Sequence, residues 1–544
     1  MLSTITIYHR LSTIGYLLKI MAIRIFCTIG AALLLICIAL PQLLYPLWFD
    51  QGAFAACADI IRRGGIMYRD CWEVRGPLLP LLLTLPRSLS SAAATIHAFE
   101  LMWQALTALT LGLLARRMFG SLAAFIAPTL YWLMFASLNY WATVQAEGFA
   151  NLFFVLALLS LTSKHRFAPL FAGLCCGLLF WLKYPFAIFI LLLFVAKPHL
   201  TTLQSPIQNL KSKILLGLIL PIAFGLIYFA LNGALADWWL HVQYDIATFN
   251  NVPLAHRWEW LTGLFWIEIK AFVSNGNTPT AGWKATVLQW DILGRGYPFI
   301  FGLMGLGLLR GLRSSQYRRP ALIALAYLVI VVGLNIWQGH SYRYHFVIWL
   351  PAMALLASAA ALPITTPHPK AWVQLQMGSV FGLTCLACLG MVAAMWPWLR
   401  DAYDNVVIQR KPIAQTVSES ALADYDNLAR FVRDNTSPND SIFIYSDVPA
   451  VYALAERPNA TRFPYMRWVD EAGDDEIRER YTAQLLADLQ RTRPKFFILS
   501  RDGFPWPEAK FIESWKRQKS VNDWVEANYA YSGENGPFLV FARK

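Results

Sequence analysis

Long apolar segments separated by short polar stretches occupy the first 400 residues of the chain. A helix needs about 20 apolar residues to cross the hydrocarbon core of a bilayer, and fewer where it is broken or sheltered by protein. This pattern predicts a polytopic α-helical membrane protein with eleven transmembrane helices, at 25–46, 93–115, 119–138, 146–163, 167–182, 184–196, 214–232, 296–312, 320–337, 344–362 and 372–397. Pro185 separates the fifth helix from the sixth, because proline breaks or kinks a helix.

The pattern changes after residue 400, where short strands alternate with amphipathic helices. Helices are predicted over 420–434, 474–490 and 507–528, and strands over 441–445, 495–499 and 537–542. Alternation of this kind is typical of a small α/β domain. We therefore divide the chain into a membrane domain, residues 1–400, and a soluble α/β domain, residues 401–544.

The distribution of charge among the loops predicts the orientation of the chain in the membrane. The chain carries a net charge of +13, and its mean hydropathy is +0.44. Several connections between predicted helices hold basic residues and no acid; they are Arg116-Arg117, 164–166, 197–213, 310–319 and Lys370. Such connections face the cytoplasm. The N-terminus is then cytoplasmic, whereas the loops 48–92 and 233–295 and the α/β domain face the opposite side of the plasma (inner) membrane.

Two other interpretations of the composition are disfavoured. Basic loops beside membrane helices account for the positive charge, so we predict no nucleic-acid partner. The first apolar run is longer than a signal-peptide core and lacks a small-residue cleavage site, which predicts an uncleaved first helix.

The outer loop that begins at Trp48 has an unusual density of charge. It interleaves four acids with four arginines; they are Asp50, Asp59, Arg62, Arg63, Arg69, Asp70, Glu73 and Arg75. This predicts the floor of an active site, with Asp50 as its central carboxylate and Arg75 as an anion-binding group. The alternatives are that Asp50 is the N-cap of a short amphipathic helix and that Arg75 is a solvated loop charge in a surface pair with Asp70 or Glu73. Whether Cys57 and Cys71 form a disulfide depends on the redox compartment and stays open.

The second outer loop, 233–295, is rich in tryptophan. Its tryptophans are Trp238, Trp239, Trp258, Trp260, Trp266, Trp283 and Trp290. They fit either an interfacial aromatic belt or a lid over a lipid-borne substrate. Because Asp237, His241, Asp245 and Arg257 accompany them, we favour the lid.

Three short motifs carry a family resemblance. Phe49-Asp50, Tyr68-Arg69-Asp70 and Glu73-Val74-Arg75-Gly76-Pro77 resemble motifs of the polyprenyl-phosphate-sugar glycosyltransferases of GT-C fold. Within that group the chain is similar to the branch of protein O-mannosyltransferases and lipid A aminoarabinose transferases. Those enzymes often have Asp-Glu at the first motif and a basic residue directly before proline at the second. Gln51 stands where that pattern has Glu, which leaves Asp50 as the only base. Gly76 is inserted between Arg75 and Pro77, and the cation, Arg75, is kept.

The resemblance continues in three downstream segments. Gln145-Ala146-Glu147 matches a second acid of the family, although Glu147 has the alternative role of pairing with a loop arginine. Lys183-Tyr184-Pro185 is similar to the family's Lys-x-Pro. The stretch from Gln338 to His345 resembles the segment that enters the helix before the last. For that stretch the alternative is interfacial aromatics with a snorkelling Arg343.

The resemblance implies an inverting glycosyltransferase with Asp50 as the general base. It implies a donor phosphate bound by Arg75, Lys183, Arg343, Tyr344 and His345, with Glu147, Asp70 and Glu73 as further acidic, substrate-positioning residues. No cofactor and no obligatory metal are implied. The partners are an isoprenoid-phosphate-linked sugar, an acceptor lipid, glycan or protein, and membrane lipids. We expect the α/β domain to shape access of the acceptor without chemistry of its own.

Two other functions remain in competition. A transporter or flippase of lipid-linked sugars needs charged groups near the middle of the bilayer and usually paired repeats. Here the helix interiors are nearly free of charge. A ligase or polymerase of lipid-linked polysaccharide would also use an outer loop, but the early Asp50 and Arg75 pattern disfavours it.

Overall fold

A computed structural model describes the chain at residues 33–138, 140–200, 207–249, 296–338, 343–362, 370–411, 423–470, 474–505 and 509–544, and at the single residues 30, 255 and 472. Within these ranges a bundle of helices is followed by a small unit of mixed helix and sheet. The predicted lid falls largely on 250–295, which apart from residue 255 lies outside the described residues.

The described part of the bundle contains fourteen α-helices. They are α1 (Leu33–Leu44), α2 (Phe49–Arg62), α3 (Leu78–Leu89), α4 (Ala93–Phe119), α5 (Ala123–Ala136), α6 (Ala146–Leu161), α7 (Ala168–Leu182), α8 (Ile190–Leu200), α9 (Ile207–Leu231), α10 (Leu235–Phe249), α11 (Tyr297–Arg313), α12 (Arg318–Trp337), α13 (Leu350–Ser358) and α14 (Lys370–Tyr403). Short 3₁₀ segments precede α8 and α13. Each of the eleven predicted segments overlaps one of these helices, and α2, α3 and α10 lie in the predicted outer loops.

Length limits how many of these helices cross a membrane. In the described part of the chain, five segments are long and apolar enough; they are Ala93–Phe119, Lys211–Leu231, Arg318–Trp337, Tyr344–Ala361 and Gly378–Trp396. The pair α1 and α2, bent by 83°, makes up to six. The protein is therefore a multi-pass membrane protein. Crossing by all eleven predicted helices is supported only in part, since several of them are shorter apolar helices.

A glycine contact joins α7 to α9. A Cβ atom added at Gly173 would lie 2.0 Å from the carbonyl oxygen of Ile214, and one added at Gly177 would lie 2.7 Å from that of Leu218. Glycines four residues apart on one helix face let two backbones touch, which is a recurrent way of packing membrane helices. This contact fixes the direction of α7 and hence the position of Lys183, directly after its last residue.

The two ends of the bundle differ in charge. At one end the basic connections meet: Arg117 Nη1 donates to Thr162 Oγ1 at 2.6 Å, and Lys213 Nζ donates to the carbonyl oxygen of Arg166 at 3.4 Å. The opposite end carries the acids of the first outer loop and the α/β unit. Three of the acid-free connections predicted to be cytoplasmic, at 116–117, 164–166 and 197–213, thus lie near one another in space.

This arrangement yields a test of orientation. A reporter fused after residue 400 should be extracytoplasmic, and one fused at Arg313 should be cytoplasmic, because the positive-inside rule applies to the end of the bundle that contains Arg313. Alkaline phosphatase and green fluorescent protein fusions at both points measure it. The same location for both reporters would mean that the number of crossings is wrong, most plainly at the break around Pro185.

The C-terminal unit is built on a four-stranded sheet. Its elements are α15 (Ala423–Asn435), β1 (Ile442–Tyr445), α16 (Ala450–Ala455), α17 (Arg467–Asp470), α18 (Asp475–Thr492), β2 (Phe496–Ser500), α19 (Phe511–Arg517), α20 (Lys519–Asn528), β3 (Tyr529–Asn535) and β4 (Phe538–Arg543). The strand order is β1-β2-β4-β3, with β1 parallel to β2 and the other pairs antiparallel. The three predicted strands are present, and β3 was missed. The predicted helix 507–528 is two helices, and the boundary predicted at residue 400 falls inside α14.

The α/β unit packs closely on the first outer loop. The backbone N–H of Trp72 donates to the carbonyl oxygen of Arg462 at 2.6 Å, and its indole N–H donates to Tyr481 Oη at 2.9 Å. Arg462 also forms an ion pair with Asp237 of α10 at 2.8 Å. The unit therefore contacts both outer loops of the membrane part through polar contacts around a buried tryptophan.

Candidate active site

Arg75 is the centre of a buried cluster of charges. Its guanidinium donates to both carboxylate oxygens of Asp50, at 3.0 and 2.6 Å, and to Glu73 Oε1 at 3.0 Å. The Tyr344 hydroxyl lies 3.2 Å from Arg75 Nη2. Only 6% of the Arg75 side chain is exposed. Arg75 does pair with Glu73, one of the two partners that the surface-pair alternative named, but the pair is buried, so the interpretation of Arg75 as a solvated charge is wrong.

A sharp bend positions Asp50. The chain turns by 83° between α1 and α2, and Asp50 is the second residue of α2, after the N-cap residue Trp48. The N-cap alternative for Asp50 is therefore wrong. Its carboxylate also accepts from the Gln145 side-chain amide at 3.0 Å. Asp50 thus lies in the first turn of α2, beside the N-terminal end of the helix dipole.

Gly76 brings Arg75 beside the end of α7. A Cβ atom at Gly76 would lie 2.0 Å from the carbonyl oxygen of Trp181, so a larger residue would push the loop away. The Gly76 N–H donates to the carbonyl oxygen of Leu182 at 3.1 Å. Gly76, which separates Arg75 from Pro77, therefore lets the loop pack next to Lys183.

A second charged cluster surrounds Glu147. Lys183 Nζ donates to Glu147 Oε1 at 2.8 Å and lies 3.2 Å from His345 Nε2. Glu147 is fully buried at the start of α6. Within the described residues the basic partners of Glu147 are Lys183 and, at 3.7 Å, His345, and no loop arginine pairs with it. Residues from three distant parts of the chain thus meet at one point.

A cavity of about 580 Å³ lies beside both clusters. Among the described residues, the predicted site residues that line it are Arg75, Lys183, Tyr344 and His345. Most of the other lining side chains are apolar or aromatic; they are Val74, Phe180, Tyr184, Pro185, Ile188, Trp238, Val242, Ile246, Leu334 and Trp337. The cavity therefore combines an apolar wall with a few cations, which suits an amphiphile that has a long apolar chain and an anionic head.

The predicted carboxylates contact the cations of this wall. Asp50 and Glu73 bind Arg75, and Glu147 binds Lys183, although none of the three lines the cavity itself. Burial raises the pKa of Glu73, although Arg75 opposes that effect. For Arg75 burial acts to lower the pKa, but the carboxylate of Asp50 and its other partners raise it well above its ordinary value. The guanidinium is thus a permanent cation held by two acids.

Two predicted residues are not part of these clusters. Asp70 accepts from Arg69 and from the backbone N–H of Ile66 at 2.8 Å, which is a local loop network. The structure thus gives Asp70 a role in shaping the loop. The backbone of Arg343 begins the 3₁₀ segment before α13, but its side chain lies outside the described residues, so its predicted contact with phosphate stays a prediction.

The structure also settles the pairing that the sequence left open. Cys57 of α2 and Cys71 of the loop form a disulfide. It ties the start of the charged loop to the helix that carries Asp50.

Sequence reasoning missed four contributors to the site. Gln145 binds Asp50, Asp245 of α10 lines the cavity, and Tyr465 of the α/β unit donates to Glu73 Oε2 at 2.8 Å. Glu100 accepts from the backbone N–H of Val144 at 2.7 Å, which holds that residue at a φ of 54°. A β-branched residue at positive φ is strained and needs such support. Three of the four gave a signal: Asp245 stands among the polar residues of the second outer loop, Gln145 belongs to the Gln145-Ala146-Glu147 motif, and Glu100 is an acid inside an apolar helix. Tyr465 gave none.

The comparisons with known proteins agree with the architecture. No protein-family model matches the chain, and no curated protein matches it in sequence. The crystal structure of ArnT from Cupriavidus metallidurans bound to undecaprenyl phosphate is similar, with a TM-score of 0.54 and 11% identity over 95% of this chain and 97% of that chain. The chain has the GT-C fold. The crystal structure of the same ArnT in the apo state gives a TM-score of 0.53 and 11% identity, covering 95% of this chain and 98% of that chain.

An oligosaccharyltransferase from Archaeoglobus fulgidus is a more distant match, with a TM-score of 0.44 and 14% identity over 94% of this chain and 74% of that chain. The two ArnT structures, with TM-scores above 0.5, confirm the GT-C fold predicted from the motifs. At 11% identity the likeness to ArnT shows the fold alone. Because it spans nearly the whole of both chains, it includes the α/β unit as well as the helix bundle.

Proposed function

We propose that the protein is an integral membrane glycosyltransferase that moves a sugar from a polyprenyl-phosphate-linked donor to an acceptor hydroxyl on the extracytoplasmic side. The observation that carries the proposal is the cavity, whose apolar wall holds Arg75 and Lys183 side by side. An isoprenoid chain fits the wall, and its phosphate fits the cations. The similar ArnT structure, which holds undecaprenyl phosphate, supports this ligand class.

The Arg75–Asp50 pair gives the two residues complementary roles. In the structure the guanidinium uses two of its N–H groups on Asp50. A phosphate that enters the cavity competes for that guanidinium, because arginine binds phosphate with the same two-bond geometry as carboxylate. When the guanidinium turns to the donor, Asp50 is left with open acceptor positions beside the reacting sugar. Binding of the donor would thus free the base.

The reaction that follows is a displacement at the anomeric carbon. The acceptor oxygen attacks that carbon while Asp50 takes the hydroxyl proton. The bond from the carbon to the phosphate oxygen breaks, and its electron pair leaves with the polyprenyl phosphate. Arg75, with Lys183 and His345, stabilises the negative charge that develops on the phosphate. Attack from the side opposite the leaving group inverts the configuration, and the residues named require no metal or cofactor for these steps.

The disulfide supports an extracytoplasmic site. Disulfides persist in oxidising compartments and are rare in the cytosol. The Cys57–Cys71 bond lies in the loop that carries Arg75, at the end of the bundle away from the basic connections. This agrees with the orientation predicted from charge.

Mass spectrometry of lipids that co-purify with the protein tests the proposal. We expect a polyprenyl phosphate, or its sugar-linked form, with the wild type and much less with Lys183→Met, which removes a cation from the cavity wall. Lys495→Met is the matched control, because Lys495 is an exposed lysine of the α/β unit that pairs with Asp440. Equal polyprenyl phosphate in all three samples, or none in any of them, would contradict the proposal.

A further inference from the structure

Tyr465 connects the α/β unit to the charged cluster around Arg75. Its hydroxyl donates to Glu73 Oε2 at 2.8 Å, while Arg75 donates to the other oxygen, Oε1, at 3.0 Å. Both Glu73 and Tyr465 are almost completely buried. The Tyr465 ring also packs on Phe49, the residue before Asp50, with the ring centres 5.0 Å apart.

We infer that Tyr465 is a positioning residue of the active site, supplied by the α/β unit, which holds Glu73 against Arg75. The inference rests on the proposed function, because it assigns Arg75 to the donor phosphate. It gives the α/β domain a role beyond the expected one of shaping access of the acceptor. On this view the membrane part alone has an incomplete site.

The chemistry of a buried carboxylate carries this inference. A buried charge is tolerated only where each of its oxygens has a partner. The described contacts of the Glu73 carboxylate are one with Arg75 and one with Tyr465. Without the tyrosine hydroxyl, Glu73 Oε2 stays buried and unpaired, so the carboxylate either rotates or takes up a proton. Both changes weaken its hold on the guanidinium.

The charges and hydrogen bonds around Glu73 determine in which direction its pKa changes when the Tyr465 hydroxyl is lost. Burial raises the pKa of Glu73, and Arg75 and Tyr465 both act to lower it. Loss of the Tyr465 hydroxyl should therefore raise the pKa further, so that Glu73 becomes protonated at a higher pH. The titratable and charged groups that surround this carboxylate on the loop, α2, α10 and the α/β unit are Tyr68, Arg75, Asp50, His241, Asp245 and Tyr465.

Binding of undecaprenyl phosphate across pH tests the inference. The full-length protein is titrated with this lipid between pH 4 and 9, and quenching of tryptophan fluorescence is followed, since Trp238 and Trp337 line the cavity. In wild type we expect the affinity for the lipid to change in a step where Glu73 takes up a proton, and Glu73→Gln should remove that step. In Tyr465→Phe that step should move to higher pH by about one to two units, the equivalent of one hydrogen bond to a charged acceptor. In the Glu73→Gln background Tyr465→Phe should add no further change.

Tyr481→Phe is the matched control. Tyr481 is another buried tyrosine of the α/β unit, and it binds Trp72 of the same loop without touching Glu73. We expect it to leave the step in place, even if its melting temperature falls. Equal shifts in both tyrosine variants, or a lower melting temperature of Tyr465→Phe without a shift, would reduce Tyr465 to a packing residue and overturn the inference.

The same titration separates this inference from the proposed function. If Arg75→Ala loses affinity for the lipid and Tyr465→Phe keeps the wild-type step, only the role of Tyr465 fails. If Arg75→Ala binds undecaprenyl phosphate as the wild type does, the proposed donor site fails, and the inference fails with it.

Discussion

Asp50→Asn is expected to lower sugar transfer by about 10²- to 10⁴-fold, the usual contribution of a positioned general base. Asparagine keeps the shape of the side chain and one oxygen acceptor, but it does not take up a proton. Removing one member of a buried ion pair also costs stability. Because Arg75 keeps Glu73 as a partner, we expect the variant to remain folded with a moderately lower melting temperature.

Transfer from a synthetic polyprenyl-phosphate sugar, measured with purified protein, checks this result. Asp70→Asn is the control, since Asp70 belongs to the same loop but binds Arg69 and the Ile66 backbone. We expect that control to retain most of its activity. Near-normal turnover of Asp50→Asn would remove Asp50 from the role of base, and comparable losses in both variants would point to the loop as a whole.

The helices of the membrane part were predictable because they follow from a simple property. An apolar run long enough to span lipid has to be helical, since no water is present to satisfy its backbone. Pro185 also marked the break before α8 correctly, because it starts a 3₁₀ turn there. The helix α3 was missed because it lies in a loop interpreted by its charges, although residues 78–89 are mostly apolar.

The α/β unit was predictable in outline and not in detail. Strands β1, β2 and β4 are short apolar runs, and each contains buried residues. Strand β3, Tyr529–Asn535, is largely exposed at the edge of the sheet and contains Gly533. It therefore lacks the apolar signal that identifies a strand, and only its pairing with β4 reveals it.

The candidate site was also predictable in part: the sequence indicated its charged residues but not all of their partners. The sequence indicated Asp50, Arg75, Lys183 and Glu147 because charged residues beside apolar helices are rare and need a reason. The pairing of Arg75 with Glu73 was foreseeable because they are two residues apart, but the Asp50–Arg75 and Glu147–Lys183 pairs were not, since they join residues 25 and 36 positions apart. Tyr465 is the clearest case: it lies 392 positions after Glu73, and a tyrosine in a soluble domain carries no signal of such a contact.

Substitutions of Arg75 should have the largest effect on donor binding. In Arg75→Ala we expect affinity for undecaprenyl phosphate to fall by about tenfold to hundredfold or more, the range for a lost charge-assisted hydrogen bond. The variant also leaves Asp50 and Glu73 without their common cation, and two carboxylates repel the phosphate. Arg75→Lys should lose less affinity, because lysine keeps the charge but lacks the planar two-bond fork.

Fluorescence quenching by undecaprenyl phosphate, compared among wild type, Arg75→Lys and Arg75→Ala, measures this order. Arg69→Ala is the control: Arg69 is an arginine of the same loop, but it is 40% exposed, and its ion pair is with Asp70. We expect it to bind the lipid as the wild type does. Equal affinity in all four proteins would return Arg75 to a purely structural role, in which it only neutralises two buried acids. A graded loss, with wild type tightest and Arg75→Ala weakest, and unchanged binding by Arg69→Ala are the results expected if the guanidinium itself contacts the phosphate.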